Sequence, residues 1–258
     1  MFRKDFLLGV ILSLVLMPLV ASAQPAPEPP SVAEQDAQSL LSAFASYTDL
    51  RIRSVQQSLE ILAATPEAGS GKWDKIKGLL SGYQNSDGGF IVWYARPDGS
   101  FYTVDKGLVD VKASDRSYFP DLMAGKKVAG ILVIGKSTGQ RSAVIAVPVL
   151  KDGKVVGSIG ASLFLDRLTE QANTALALRP SVTFFALAPS GVTALHSKPD
   201  RLFLDLREQH NESLTKAVNQ MLSGRSGEVI YKIDNASKKT IYRTSPLTQW
   251  KYAIEFTE

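Results

Sequence analysis

Apolar residues recur at steps of three and four between Ser31 and Pro66, which is typical of an amphipathic helix. The stretch opens with a capping-box pattern, Ser31-x-x-Glu34, directly after two prolines. Its apolar positions are Ala37, Leu41, Phe44, Ile52, Val55, Leu59 and Leu62. A helix of roughly 34 residues would be ~50 Å long, which exceeds the width of one small domain. The pattern therefore predicts one long N-terminal helix in the segment 31–70, with two shorter helices that break near Thr48 as the alternative.

The next segment combines a second helix with a hairpin. Steps of three and four residues between Trp73 and Tyr83 predict the helix. Phe90–Ala95 and Ser100–Val104 flank Arg96-Pro97-Asp98-Gly99, and this turn sequence predicts a β-hairpin. Both faces of the first strand are apolar, so we expect this part of the sheet to be covered on both sides.

Three apolar runs follow a short predicted helix that opens near Asp115 and ends near Gly125. The runs are Val128–Ile134, Ser142–Leu150 and Val155–Leu163. Both turns between them contain glycine, which supplies the positive φ that tight turns need. The pattern predicts three consecutive antiparallel strands.

The second half of the chain repeats the order hairpin, helix, three strands. The predicted hairpin pairs Val182–Leu187 with Val192–His196, the helix covers Ser213–Leu222, and the strands are Glu228–Ile233, Lys239–Ser245 and Lys251–Phe256. Two such modules with antiparallel sheets indicate an α+β fold built on an internal repeat. We place the modules at residues 71–175 and 176–258. A chance similarity of two ordinary α+β modules is the alternative.

Residues 1–23 follow the pattern of a secretory signal peptide. Arg3-Lys4 precede an apolar run, Phe6–Val20, and Ala21-Ser22-Ala23 form a small-residue cleavage site. The run of about 15 residues is shorter than the ~20 residues that span a bilayer, so cleavage before Gln24 is favoured over an uncleaved anchor. A proline-rich leader, residues 24–30, follows. We therefore expect a periplasmic or extracellular protein.

Composition excludes several kinds of chemistry. The sequence has no cysteine, which excludes disulfides, thiolate metal ligands and thiol nucleophiles. The sequence has only two histidines, His196 and His210, which leaves little material for a hydrolytic or metal site. The formal net charge is +4 and the charges are well mixed, so we do not expect nucleic-acid binding. We expect no catalytic residues, no metal and no cofactor.

Residues 130–137, GILVIGKS, satisfy the phosphate-loop pattern G-x-x-x-x-G-K-[ST]. That loop needs a helix directly after it, whose N-terminus receives the phosphates. Here the middle residues are aliphatic strand residues, and a turn into another strand follows. Nucleotide binding is therefore not expected.

Short motifs in the middle of the chain carry a family resemblance. In order, they are Arg116-x-Tyr118-Phe119, Gly125-Lys126, Ser137-Thr138-Gly139-x-Arg141, Ala146-Val147-Pro148-Val149, Asp152-Gly153-Lys154-Val155-Val156-Gly157 and Leu165-Asp166-Arg167-Leu168. Their order and spacing resemble the double Cache (PAS-like) extracytoplasmic sensor domain over residues 31–258. The resemblance implies a long N-terminal helix, a membrane-distal module that binds a small carboxylate ligand, and a membrane-proximal module.

The resemblance also implies a role in signal transduction or chemotaxis-type sensing rather than catalysis. Relatives usually continue through a transmembrane helix into a kinase, chemoreceptor or cyclase, whereas this sequence stops at Glu258. We therefore expect a separate membrane receptor or kinase partner, and a homodimer formed through the N-terminal helix. The alternatives are a structural or interaction module of the cell envelope without a ligand, and an exported enzyme.

Arg116 is the main candidate for ligand contact, because a guanidinium can hold a carboxylate through two parallel hydrogen bonds. Tyr118 and Phe119 would form the wall of that site, and the phenol would add a donor. The alternative for Arg116 is a surface ion pair with Asp115 or Asp121, which contributes little to stability.

Four further residues are candidates with a second interpretation. Arg141 is either a second anchor or only closes the turn between two strands. Trp93, Tyr94 and Tyr102 suit the protein core as well as a pocket wall.

Ser162 bears on the identity of the ligand. In amino-acid-binding double Cache domains, a tyrosine five residues before the arginine and an aspartate on the last strand help to hold the ammonium group. Here Val111 and Ser162 occupy those places. Some dicarboxylate-binding relatives place a lysine at the second position, but a hydroxyl supplies neither charge. We predict a small monocarboxylate, such as acetate, lactate or pyruvate, over amino acids, with dicarboxylates less favoured.

Overall fold

The structure, a computed structural model, describes residues 32–85, 89–136, 138–233 and 236–257. The predicted signal peptide and leader, residues 1–30, and Ser137 lie outside the described residues. In the ranges that are described, no helix combines the length and the apolar character that a membrane crossing requires.

One unbroken helix, α1 (Val32–Ala63), opens the described chain. This confirms the predicted long helix and excludes a break near Thr48. Its buried face includes Phe44, Ile52 and Leu59, and it packs against both sheets of the protein. Two short helices, α2 (Pro66–Gly69) and α3 (Trp73–Gln84), then lead into the first sheet.

The first sheet has six strands in the order β3-β2-β1-β6-β5-β4, and every neighbouring pair is antiparallel. The strands are β1 (Phe90–Ala95), β2 (Ser100–Thr103), β3 (Gly107–Lys112), β4 (Val128–Ile134), β5 (Arg141–Lys151) and β6 (Lys154–Phe164). A 3-10 turn, Ala113–Asp115, and helix α4 (Phe119–Met123) connect β3 to β4, and helix α5 (Leu165–Leu176) follows β6.

The segment before Gly125 differs from the sequence prediction. A single helix was expected there, but Arg116 is extended, with φ −96° and ψ 135°, and separates the 3-10 turn from α4. Pro120 lies in the first turn of α4, where its missing N–H costs no helical hydrogen bond. Strand β3 was not predicted because it is an edge strand whose residues alternate between half-buried and exposed.

Alternation along β1 separates two apolar layers, which confirms the expectation of a sheet covered on both sides. Phe90, Val92 and Tyr94 belong to the large core under α1 and α3. Trp93 and Ala95 belong to a smaller core on the opposite face, beneath the 3-10 turn and α4. The candidate chemistry of the first module lies on this second face.

The second sheet has five antiparallel strands in the order β8-β7-β11-β10-β9. The strands are β7 (Val182–Leu187), β8 (Thr193–His196), β9 (Ser226–Ile233), β10 (Ala236–Thr244) and β11 (Lys251–Thr257). Helix α6 (Glu212–Ser223) covers one face, and the Asn211 side chain caps it by accepting a hydrogen bond from the Leu214 N–H. No described strand is shared between the two sheets, and the proposed module boundary at residues 175/176 stays a prediction.

Specific polar contacts tie α1 and the first sheet to the second sheet. The Asp49 carboxylate accepts hydrogen bonds from the hydroxyls of Tyr252 and Ser245, both at 2.7 Å. The Trp250 indole N–H donates to the carbonyl of Gly130 at 2.9 Å, where β4 contains a bulge. Gly130 has φ +80°, and a Cβ at this position would lie 2.7 Å from Thr248. The bulge therefore allows close contact between the two sheets.

Candidate ligand-binding site

A cavity of about 30 Å³ lies on the face of the first sheet that points away from α1. We call it the first cavity. Its floor consists of side chains from β1, β2 and β6. Its rim is formed by the segment 111–118 and, around the connection between β4 and β5, by Val133, Gly135, Lys136 and Thr138. A water molecule needs roughly 10–15 Å³ of such space, so the cavity holds only a small number of waters in this conformation.

Trp93 is the largest side chain of the floor and is fully buried. It lies opposite Gly160 in the pairing of β1 with β6. A Cβ at Gly160 would lie 2.1 Å from the indole ring, a distance that no real contact reaches. The absence of a side chain at Gly160 therefore allows the indole to pack directly against the backbone of β6.

Three cationic side chains line the first cavity. Arg116 is half-buried, and its guanidinium donates to the Ile134 carbonyl at 3.0 Å. Lys136 forms an ion pair with Asp115 at 2.9 Å, and the Lys112 ammonium lies 3.4 Å from the Ser100 hydroxyl.

No aspartate or glutamate occurs among the described residues that line the first cavity. Arg116 is half-buried, whereas Lys112 and Lys136 are exposed at the rim, and all three bring positive charge to the cavity. The cavity therefore favours an anionic ligand.

Two hydroxyl groups add neutral hydrogen-bonding capacity. Tyr118 is buried, and this burial raises the pKa of its phenol to about 12, so the group keeps its proton at physiological pH. Neither the Tyr118 hydroxyl nor the Ser162 hydroxyl forms a hydrogen bond with another residue in the part of the chain that the structure describes. Each group can therefore bond to a ligand oxygen without breaking an internal hydrogen bond with those residues.

The structure brings four of the sequence-predicted residues together at the first cavity: Trp93, Arg116, Tyr118 and Ser162. Val111, which corresponds to the tyrosine of amino-acid-binding relatives, also lines it. The positions that the family resemblance relates to ammonium binding therefore both lie at this cavity, and neither carries a negative charge.

Four predicted residues do not line the first cavity. Phe119 is buried in the apolar core beneath α4. Tyr102 points to the α1 side of the sheet, where its ring lies 5.0 Å from that of Trp73 and 4.9 Å from the Arg96 guanidinium. Its position follows from the strict alternation of β2, because Phe101 and Thr103 line the cavity.

Arg141 is also placed elsewhere. Its guanidinium forms an ion pair with Asp166 at 2.6 Å and donates to the Leu202 carbonyl at 3.3 Å. The residue thus connects the start of β5 to α5 and to the second module, which is a structural role. Tyr94, the remaining aromatic candidate, lies in the core under α1.

Lys112 and Lys136 are the charged cavity residues that sequence reasoning missed. Lys136 belongs to the GKS sequence that we excluded as a phosphate loop, and that exclusion drew attention away from the lysine itself. Lys112 ends the unpredicted strand β3. The sequence signal that could have identified Lys136 is a charged residue at the turn between β4 and β5. This turn lies next to the expected position of Arg116.

The family model described as "Cache domain", of the double Cache type, matches residues 31–258. The chain belongs to the Cache domain family. Among curated protein sequences, none matches this Cache protein.

Solved structures show the same fold at low sequence identity. The extracellular domain assigned to a histidine kinase, rpHK1S-Z16, has a TM-score of 0.72 at 16% identity, over 88% of this chain and 95% of that one. The sensory domain of the Campylobacter jejuni chemoreceptor Tlp3 with isoleucine bound has a TM-score of 0.65 at 15% identity, over 88% and 92%. The ligand-binding domain of the Pseudomonas fluorescens chemoreceptor CtaA in complex with L-isoleucine has a TM-score of 0.64 at 16% identity, over 88% and 91%. These similarities confirm the double Cache architecture, and Cache domains of this type are sensory ligand-binding domains.

Proposed function

We propose that this Cache protein is a sensory domain outside the cytoplasm that binds a small carboxylate in the first cavity. The observation that carries the proposal is the charge of the lining, with Arg116, Lys112 and Lys136 and no acidic residue among those described. Arg116 holds the carboxylate through its guanidinium. The Tyr118 and Ser162 hydroxyls supply hydrogen bonds, and Trp93 forms the apolar floor.

The ligand class that we propose is a small monocarboxylate. An amino acid would bring an ammonium group next to Val111 and Ser162, neither of which can neutralise it. Leaving an ammonium buried without an anionic partner costs several kcal/mol, which is enough to remove micromolar affinity. Acetate, lactate and pyruvate also have fewer heavy atoms than a branched amino acid, so they require less widening of a cavity that holds only a small number of waters in this conformation.

The proposal also covers the location of the protein, its partner and its oligomeric state, because a sensory domain must pass its signal on. We infer export through a cleaved signal peptide, a membrane receptor or kinase as partner, and a dimer formed through α1. Leu50 and Ile61 support the dimer, because they are large apolar residues on α1 with exposed fractions of 65% and 71%. Analytical ultracentrifugation of the parent protein and of a double Leu50→Ser, Ile61→Ser variant tests the dimer. A parent that sediments as a monomer at every concentration contradicts it.

A thermal-shift panel of organic acids, amino acids, amines and purines tests the ligand proposal. A ligand at 100 times its Kd adds about 2.7 kcal/mol to the free energy of unfolding. In a chain of this size, that corresponds to a rise in Tm of ~5–10 °C. We expect such a rise with small monocarboxylates, and its loss in Arg116→Ala with little change in the Tm of the unliganded protein.

Arg167 on α5 provides the matched control for this experiment. Its guanidinium is exposed and pairs with Glu170 at 2.9 Å, and it does not line the first cavity. Arg167→Ala should keep the full shift. An unaltered shift in Arg116→Ala would remove this arginine from the site, and no shift with any organic acid would favour a structural module without a ligand.

A further inference from the structure

The second module contains a larger cavity in the corresponding place. It has a volume of about 390 Å³ and lies on the α6 side of the second sheet, which is the face that points away from α1. We call it the second cavity. Strands β7, β8 and β11 contribute to its floor, as the corresponding strands β1, β2 and β6 do in the first module. The repeat of the fold therefore provides a second space of the same kind.

His196 lies in the wall of the second cavity with an exposed fraction of only 8%. Its Nδ1 accepts a hydrogen bond from the Lys198 backbone N–H at 3.0 Å, so a neutral ring carries its proton on Nε2. Burial, together with the charges of Arg201 and Lys198, lowers the pKa of the imidazole to about 4. Within the described ranges, no residue accepts a hydrogen bond from Nε2. The ring therefore presents to the cavity a donor that has no acceptor among those residues.

Cationic side chains surround this donor. Arg201 and Lys198 line the cavity, and neither side chain forms an ion pair or hydrogen bond with another described residue. Lys238 donates to the Thr257 hydroxyl at 2.7 Å and lies 3.9 Å from Glu255, the acidic residue of the described lining. Glu255 already accepts a hydrogen bond from the Tyr231 hydroxyl. Of the titratable groups in the described lining, those without a partner are His196 Nε2, Arg201 and Lys198, and all three are donors.

We propose that the second cavity is a further binding site, which takes a small organic anion with carboxylate oxygens. The His196 Nε2–H and the Arg201 guanidinium donate to these oxygens, and Lys198 adds positive charge at the opening. This site does not rest on the first cavity, because its residues belong to a different sheet.

The imidazole signals of the protein provide a direct assay. The sequence contains only two histidines, so a long-range proton–nitrogen NMR spectrum of the ring nitrogens resolves His196 from His210. His210 is exposed and does not line the cavity, so it is the internal control. Sodium acetate, lactate, malonate and inorganic phosphate are added separately at constant ionic strength to ~10 mM, at which a site with a Kd of ~1 mM is about nine-tenths occupied.

We expect a saturable shift of the His196 Nε2 signal with at least one carboxylate and no saturable shift of His210. Arg201→Gln should raise the Kd about tenfold or more, whereas Arg116→Ala should leave it unchanged. A shift with phosphate alone would show that the site binds phosphate, which contradicts the assignment of a carboxylate ligand. An unchanged His196 signal with all four anions would overturn the proposal. The decisive measurement is the His196 signal of the wild-type protein. The test therefore remains valid even if a variant folds poorly.

Discussion

Replacing Gly160 by alanine tests the link between packing and ligand binding at the first cavity. The added Cβ would lie 2.1 and 2.5 Å from ring atoms of Trp93, which is itself fully buried and lines the cavity. Overpacking of this kind costs typically ~1–3 kcal/mol. In a chain of this length each kcal/mol lowers Tm by ~2–4 °C. We therefore expect a Tm lower by ~2–12 °C, with the indole pushed into a cavity of only about 30 Å³.

The assay is thermal unfolding of the variant with and without lactate. Gly160→Ala should lower both the Tm and the lactate-induced rise, because the displaced indole occupies the ligand's space. Gly78→Ala is the matched control, since a Cβ there meets no atom within 4 Å and an exposed helical Gly→Ala change stabilises by up to ~1 kcal/mol. Trp93→Phe in the Gly160→Ala background should recover part of the stability. A Gly160→Ala protein with parental Tm and parental lactate response would refute the packing argument.

Three further predictions concern charge and polar contacts elsewhere. Asp49→Ala should lower the free energy of unfolding by ~1–3 kcal/mol in chemical denaturation, because it leaves the buried Tyr252 hydroxyl without its acceptor, and an unchanged midpoint would contradict this. Asp115→Asn should strengthen lactate binding up to about fivefold in calorimetry, because it removes the anionic partner of the cavity-lining Lys136; weaker binding would show that the ion pair positions the lysine. The His196 pKa of about 4 lies below the value of ~6.5 in unfolded chains, so the unfolded state binds the proton first as pH falls. Stability should therefore be lost between pH ~6.5 and ~4, by up to ~3 kcal/mol, and His196→Phe should show a smaller loss in that range.

The sequence predicted the elements with strong periodicity. The helix α1 and the strands β1, β4 and β7 match their expected ranges closely, because each carries a long apolar pattern. The edge strand β3 escaped prediction because an edge needs little apolar surface, and its pattern is half polar.

The sequence predicted only part of the candidate site, and the reason is physical. Trp93, Arg116, Tyr118 and Ser162 meet at the cavity. Tyr102 does not, because a shift of one residue along a strand moves a side chain to the other face.

The role of Arg141 could not be read from local sequence. Its partner Asp166 is far away in sequence, so only the folded chain brings the two together. Lys112 and Lys136 reach the cavity from a strand end and a turn, where periodicity gives no information about direction.

The central claim is that the first cavity binds a small carboxylate and rejects an ammonium group. Calorimetric titration of the parent protein and of Arg116→Ala with lactate and with L-alanine tests it most directly, since the two ligands differ chiefly by a hydroxyl in place of an ammonium. We predict saturable binding of lactate to the parent, about tenfold or more weaker binding to Arg116→Ala, and no detectable binding of alanine to either. Tighter binding of alanine than of lactate, or equal lactate binding by parent and variant, would contradict the account.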